Sequence, residues 1–289
     1  MIMSDFVQQQ NSINDFATSD SWVILSPIEQ SIKKKIEAVG TPLKDWDINI
    51  YRGVLTGCNE AFIIDSSKRE EILSNCQSEE ERQKTAELIR PILRGRDIKR
   101  YGYVNNGLYL INTHNGIRGR IPRIKIEDYP AVKAHLDQYW DKIATRADKG
   151  DTPYNLRNCA YLEDFSKQQI VWIELSDDPK FALAEKIMSV NTVFFITGEH
   201  ILHLLGLLNS KLITWYFRHC IGTTSGVGTN RWLKYTIEQI PMAPVSAKLE
   251  ELSFLISQNY VEEKNQEIDL FVCQLYNLNE EEISYIIRQ

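Results

Sequence analysis

Apolar residues recur along this chain with two periods, and the alternation between them lays out its secondary structure. Ile28, Ile32 and Ile36 stand four apart, which places them on one helical face. Ser26-Pro27-Ile28-Glu29 supplies a start signal: a capping hydroxyl, a proline in the first turn and a glutamate to close a capping box. Gly40 supplies the stop. Runs rich in β-branched and aromatic residues predict strands at 48–55, 61–64, 97–103, 107–111, 170–175 and 192–196. Thr56-Gly57-Cys58-Asn59 reads as the turn pairing the first two as a hairpin. Helices are expected over 78–88, 129–144, 202–218 and 247–277. Asn279 then caps a last short helix whose first turn holds Glu280, Glu281 and Glu282. Residues 112–119, 148–158 and 222–230 read as loops, and Pro241 and Pro244 exclude helix from the exit at 237–244. The class that follows is α+β: a mixed, largely antiparallel sheet with flanking helices and a helical C-terminal tail. Residues 1–21 form a polar, flexible lead-in, 22–245 the main domain, and 246–289 the tail.

Composition sharpens this picture in three places. The most apolar stretch, 201–217, is interrupted by His203, Asn209, Ser210 and Lys211, whereas a membrane span needs about 20 mostly apolar residues. It reads as a buried core helix, and the N-terminus lacks the basic and apolar pattern of a signal peptide. The 5 cysteines, at positions 58, 76, 159, 220 and 273, show no CxxC spacing. That pattern fits a reducing cytoplasm rather than a disulfide framework or a zinc ribbon. The net charge of −6 argues against nucleic acid until its distribution is considered. Residues 88–125 contain nine Lys and Arg against a single acid, Asp97, while the tail is strongly acidic. Attraction to phosphate follows the local field rather than the total charge. The alternative is a solvated basic surface balanced by acidic ends.

The chain holds fragments of catalytic motifs, none complete. Asp151-Thr152-Pro153-Tyr154 is similar to the D/N-P-P-Y motif of adenine methyltransferases, but threonine replaces the first proline and no apolar strand precedes it. The glycine-rich loop 222–228 follows a helix and has no lysine, unlike a phosphate cradle. Glu199-His200-x-x-His203 lacks zincin spacing, and His203 sits among leucines, where a hydrogen-bonded core histidine is expected. Asp177-Asp178-Pro179-Lys180 offers only scraps of a Mg²⁺-dependent nuclease site. A binding module that neither cleaves nor methylates by itself is the expectation.

Several stretches in order resemble one family. They are Gly53-x-x-Thr56-Gly57-x-Asn59-x-Ala61-Phe62-x-Ile64; Pro91-x-Leu93-Arg94-Gly95-Arg96-Asp97-Ile98-x-Arg100-Tyr101; Leu207-Leu208-Asn209-Ser210-Lys211 with Lys234-Tyr235 and Ile240-Pro241-x-x-Pro244; and Glu267-Ile268-Asp269 through Glu281-Glu282-Ile283. Together they look like the TaqI-like C-terminal specificity domain of type IIG restriction-modification adenine methyltransferases, related to the recognition domains of type I specificity subunits. The resemblance covers about residues 22–286. It implies that 22–245 is a target-recognition domain for double-stranded DNA. Its partner would be an adenine methyltransferase domain or subunit, with or without a nuclease domain. S-adenosylmethionine, and Mg²⁺ where a nuclease is present, would belong to those catalytic domains; none is expected in this chain, and no membrane.

DNA readers set Arg, Lys, Asn, Ser and Thr against base edges and phosphates. The candidates are Arg94, Arg96, Lys99 and Arg100 along a turn-to-strand passage, and Asn115, Arg118, Arg120 and Arg123, with Lys125, beyond the 112–119 loop. Thr223, Thr224, Ser225, Asn230 and Arg231 form a second polar loop. Arg118, Arg120 and Arg231 can pair bidentately with guanine, and Asn115 or Asn230 with adenine. For Arg94 and Arg96 the competing role is a structural knot of salt bridges with Asp97. For the whole chain it is a docking module of a restriction-modification or phage-defence complex that does not read DNA.

Overall fold

The computed structural model describes residues 25–224 and 229–289. The expected lead-in, 1–21, and Ser225 lie outside the described residues. Two compact units divide the described residues: a sheet unit, Asn49–Glu174 with Phe181–Ile201, and a helical unit formed by the described residues up to Ile48, by Leu175–Lys180 and by those from Leu202 to Gln289.

The sheet unit carries two four-stranded sheets. In the first, the strands run in the order Ile48–Arg52, Val193–Gly198, Gln168–Ile173, Ala182–Glu185. Ile170 lies opposite both Ile196 and Leu183, and Val171 opposite both Phe195 and Ala182, in antiparallel register. Ile170, Val171 and Trp172 are all buried, so both faces of this inner strand are covered and its sequence is a continuous apolar run. The second sheet runs Ile63–Asp65, Leu108–Ile111, Ile89–Leu93, Met188–Ser189, and only its last pairing is parallel. Phe62, Leu110, Val132, Leu136, Phe165 and Phe195 pack the core without exposure. The α+β class and its largely antiparallel pairing are as the sequence indicates, with the strands shared between two sheets.

Several local expectations are corrected. Thr56 to Asn59 is no hairpin turn. The Thr56 hydroxyl accepts the Cys58 N–H (3.2 Å) and donates to Asn59 Oδ1 (2.6 Å), which starts the short helix Asn59–Phe62. Strand Ile63–Asp65 then joins Leu108–Ile111 in the other sheet. Residues 97–103 are not a strand: Gly95–Asp97 is a 3₁₀ turn, and Ile98 and Tyr103 bridge around Tyr101 at φ 66°. The helix expected at 129–144 breaks into Pro130–Asp137 and Trp140–Thr145. The one expected at 202–218 breaks at Ser210, whose hydroxyl accepts the Ile213 N–H (3.3 Å) and so caps a new helix, Lys211–Tyr216. A π-helical turn, Phe217–Ile221, follows. Short strands at Ala182–Glu185 and Met188–Ser189, and the short helix Lys234–Ile237, carry too few residues for a periodic signal.

In the helical unit, Pro27–Val39 begins with the Ser26 N–H donating to the Glu29 carboxylate (2.7 Å) and buries Ile32 and Ile36. The tail comprises Ala247–Gln258, Glu262–Leu275 and Glu280–Ile287, with a break at 259–261. It packs within this unit: Asp269 accepts the Lys211 N–H (2.7 Å) at the start of Lys211–Tyr216, and buried Glu282 pairs with Lys35 (2.6 Å). Among the described residues no helix is long and apolar enough to cross a membrane.

Candidate nucleic-acid interface

The basic stretch beyond residue 112 folds into a pinned turn. Ile117 and Ile121 exchange backbone hydrogen bonds (2.8 and 2.9 Å), and the Arg120 N–H donates to the Ile117 carbonyl (2.9 Å). Gly116 and Gly119 hold φ of 74° and 78°, which glycine adopts without strain. A Cβ on Gly116 would also fall 2.4 Å from the Ile121 carbonyl oxygen. Arg118 and Arg120 thus stand exposed on a rigid tip, with Arg123 just behind. All three line a groove of about 780 Å³ whose other walls include Asn115, Asp151 and Asn158.

The groove residues differ in how engaged they are. Arg118 makes no hydrogen bond or ion pair with any described residue. Arg120 pairs with Glu163, and Arg123 with Asp151 (3.2 Å); all four side chains are well exposed. Asn115 is fully occupied by its surroundings. Its Nδ2 donates to Asp151 Oδ1 (3.0 Å) and Asn158 Oδ1 (2.5 Å), and its Oδ1 accepts the Asp151 N–H (2.8 Å). It holds the 150s loop against the turn, and adenine could reach it only by displacing these bonds.

The other basic passage contains a knot. Asp97 is buried and accepts from the Arg94 N–H (2.9 Å), Arg94 Nε (3.3 Å) and Asn106 Nδ2 (2.6 Å). Burial alone would raise its carboxyl; the hydrogen bonds from Arg94 and Asn106 outweigh that and hold it below the usual carboxylate value. Arg94 faces inward here, whereas Arg96 and Lys99 are exposed and half-buried Arg100 lies 5.8 Å over the Tyr101 ring. A folded-state pKa below the unfolded one stabilises above the unfolded value, about 3.9, and that stabilisation is lost as pH falls through the folded value. Asp97→Asn should therefore lower the urea midpoint by a constant amount between about pH 5 and 8, with the gap closing below about pH 4. Urea titrations at several pH values check this; a gap that widens in acid contradicts it.

The third set of candidates belongs to the helical unit. Strands Thr223–Thr224 and Asn230–Arg231 pair as a small ribbon, with Thr223 opposite Arg231. Asn230 is buried and donates to the Asp177 carbonyl (3.2 Å), so it anchors the ribbon. Trp232 does the same beside it, donating to the Ser176 carbonyl (2.9 Å) and stacking 3.8 Å from Phe217. Arg231 is half-buried.

Two histidine and aspartate motifs resolve into structure. His203 is buried, with Nε2 3.0 Å from the Ala243 carbonyl and Nδ1 accepting the Ser246 N–H (3.3 Å). In the 151–154 loop, Thr152 Oγ1 donates to Asn155 Oδ1 and the Tyr154 hydroxyl to Asp137, each at 2.6 Å. Arg146, which no sequence signal singles out, is 6% exposed. Its guanidinium donates to the carbonyls of Thr56, Pro153 (3.0 Å) and Asn155 (2.6 Å) and lies 4.3 Å over the Phe62 ring. Burial lowers its pKa to about 10, so it is charged at neutral pH.

Comparison with known proteins adds family and fold. The type IIL restriction-modification enzyme MmeI, solved in complex with DNA, superposes with a TM-score of 0.59 at 12% identity, over 86% of this chain and 36% of its own. The type IIG restriction endonuclease BpuSI superposes with a TM-score of 0.59 at 14% identity, over 90% of this chain and 31% of its own. At those identities the likeness is one of fold, and this chain spans about a third of the length of either enzyme. The sequence profile of the TaqI-like C-terminal specificity domain matches residues 90–242, just over half of the chain. The chain belongs to the TaqI-like C-terminal specificity domain family.

Proposed function

We propose that this chain reads double-stranded DNA sequence for a restriction-modification adenine methyltransferase and performs no chemistry itself. The observation that carries the proposal is Arg118: exposed, without a partner among the described residues, and raised on a glycine-pinned tip beside a groove rimmed by Arg120 and Arg123. An arginine fork so presented fits the O6 and N7 acceptors of guanine, while its neighbours reach phosphates. The partner is a methyltransferase domain or subunit, with or without a nuclease domain, acting in the bacterial cytoplasm. S-adenosylmethionine, and Mg²⁺ for a nuclease, bind there. Exposed Phe254, Leu255, Tyr260 and Leu270 on the acidic tail suit a protein neighbour rather than phosphate.

The test is selection of bound duplexes from a randomised library at low salt. The chain should enrich a defined sequence. Arg118→Ala should lose discrimination at one base position, by about 1–3 kcal/mol, and keep it elsewhere. Absence of enrichment by the unaltered chain would sink DNA reading and leave the docking alternative.

A further inference from the structure

A smaller cavity of about 300 Å³ in the sheet unit shares Asn158 and Cys159 with the arginine groove, so the two adjoin. That volume is at the lower end for small-ligand sites. Among its lining residues are Arg52, Asn112, His114, Arg157, Tyr161 and Asn191.

Its polar groups are unsatisfied in a specific way. Asn112 is 8% exposed, and its carboxamide oxygen has no hydrogen-bond partner. No described residue bonds the amide nitrogen either. The Asn112 backbone N–H is fixed by the Leu88 carbonyl (3.1 Å), so the side chain is held at the end of strand Leu108–Ile111. Buried amides without partners are rare because they lose hydrogen bonds to water without replacement. His114 adds a donor. Its Nδ1 accepts the Gly116 N–H (3.2 Å), so in the neutral ring the proton is on Nε2, and burial favours the neutral ring. The cavity is therefore lined by an imidazole N–H donor and by a carboxamide whose donor and acceptor have no partner among the described residues, the acceptor lying beneath the cavity surface. Tyr161, backed by Tyr51 at 4.2 Å in a stacked pair, supplies an aromatic wall. Arg52 and Arg157 add cations, each more than half exposed although paired with Glu174 and Asp148.

We infer that this cavity receives a single nucleobase turned out of the duplex held in the adjoining groove, with the base edge on Asn112 and His114 and its phosphate toward Arg52 and Arg157. A carboxamide matches the paired donor and acceptor of a base edge. Aromatic side chains accept unstacked bases, and a base leaves the stack when a pocket replaces its pairing. The inference rests on the DNA reading proposed above.

The experiment titrates the ¹⁵N-labelled full chain with each of the four deoxynucleoside 5′-monophosphates to about 10 mM, which detects sites with dissociation constants near 1 mM. Inorganic phosphate and deoxyribose 5-phosphate serve as controls. At least one nucleotide should shift the Asn112 carboxamide and His114 ring signals while the controls do not. Asn112→Leu, of matched size, should weaken that nucleotide at least about tenfold. Its remaining spectrum should stay that of the unaltered chain. If no nucleotide shifts those signals, or deoxyribose phosphate shifts them equally, the base pocket is overturned. The unaltered chain decides this alone, however the variant folds. Duplex binding without nucleotide binding would overturn the pocket and leave DNA reading standing.

Discussion

Arg146→Ala should destabilise the sheet unit by at least about 3 kcal/mol, since hydrogen bonds to charged groups contribute about 1.5–3 kcal/mol each and three carbonyls lose their donor together. Those carbonyls, of Thr56, Pro153 and Asn155, lie in two segments that the guanidinium ties to one another. Removing it relieves the cost of burying a cation, the same cost that lowers its pKa to about 10. The relief is smaller than the loss, because the carbonyls stay behind. Arg146→Lys should rescue little: an ammonium is a point charge and cannot span three acceptors as a planar fork does. Arg146→Met keeps much of the contact with Phe62 but restores no donor, so it should resemble Ala. Thermal unfolding of the three variants checks this, with an expected fall of roughly 5–10 °C for a protein of this size. A change under about 1 °C in Arg146→Ala would show that water satisfies the carbonyls. Because Asn155 Nδ2 also donates to the Ile124 carbonyl (2.9 Å), loosening this knot should loosen the arginine groove as well.

What the sequence made legible was local. The helix at Pro27–Val39 needs only its own Ser26, Glu29 and isoleucine spacing, and the last helix only Asn279 and Glu282, so both could be read directly. The glycine-punctuated tip bearing Arg118 and Arg120 was legible for the same reason. Breaks inside long apolar runs were not. Ser210 interrupts a helix because Asp269, far along the chain, is there to accept the freed Lys211 N–H. Strand partners were hidden likewise: Ile63–Asp65 looks paired to the strand just before it, yet its neighbour in the sheet is Leu108–Ile111. At the candidate site, residue type suggested readers but not their engagements. Asn115 and Arg123 both bind Asp151, and Asn230 binds the Asp177 carbonyl, contacts that spacing does not encode. Arg94 and Asp97 lie three apart, so their knot could be weighed from sequence, but only geometry separates inward Arg94 from exposed Arg96.

Replacing Arg118, Arg120 and Arg123 together with alanine should weaken binding to every duplex, specific or not, and flatten its salt dependence. On a duplex of mixed sequence, where no cognate guanine is there for Arg118 to read, it rests on phosphate like its neighbours; each phosphate contact contributes about 0.9 to the slope of log affinity against log salt, so three removed contacts lower it by about 2.7. The affinity ratio between the unaltered chain and the triple variant should then shrink roughly fortyfold between 50 and 200 mM salt, which follows from that slope. The three arginines will not contribute equally. Arg118 meets DNA with no partner to leave, whereas Arg120 must exchange Glu163, and Arg123 Asp151, for phosphate. Both pairs are exposed, where ion pairs contribute little, so the exchange is cheap but not free. A result of opposite sign follows: Glu163→Gln removes a fixed anion from the groove and frees Arg120, so it should strengthen binding and steepen the salt slope. Neither change touches the buried core of the sheet unit, and thermal stability should stay within about 1 °C of the unaltered chain. Fluorescence anisotropy with a labelled mixed-sequence duplex over a salt series measures both quantities. If the triple variant keeps its affinity and slope while Glu163→Gln changes nothing, the arginine groove faces solvent and DNA lies elsewhere. If the triple variant weakens but Glu163→Gln does not strengthen binding, Arg120 points away from the backbone, leaving Arg118 and Arg123 as the phosphate contacts.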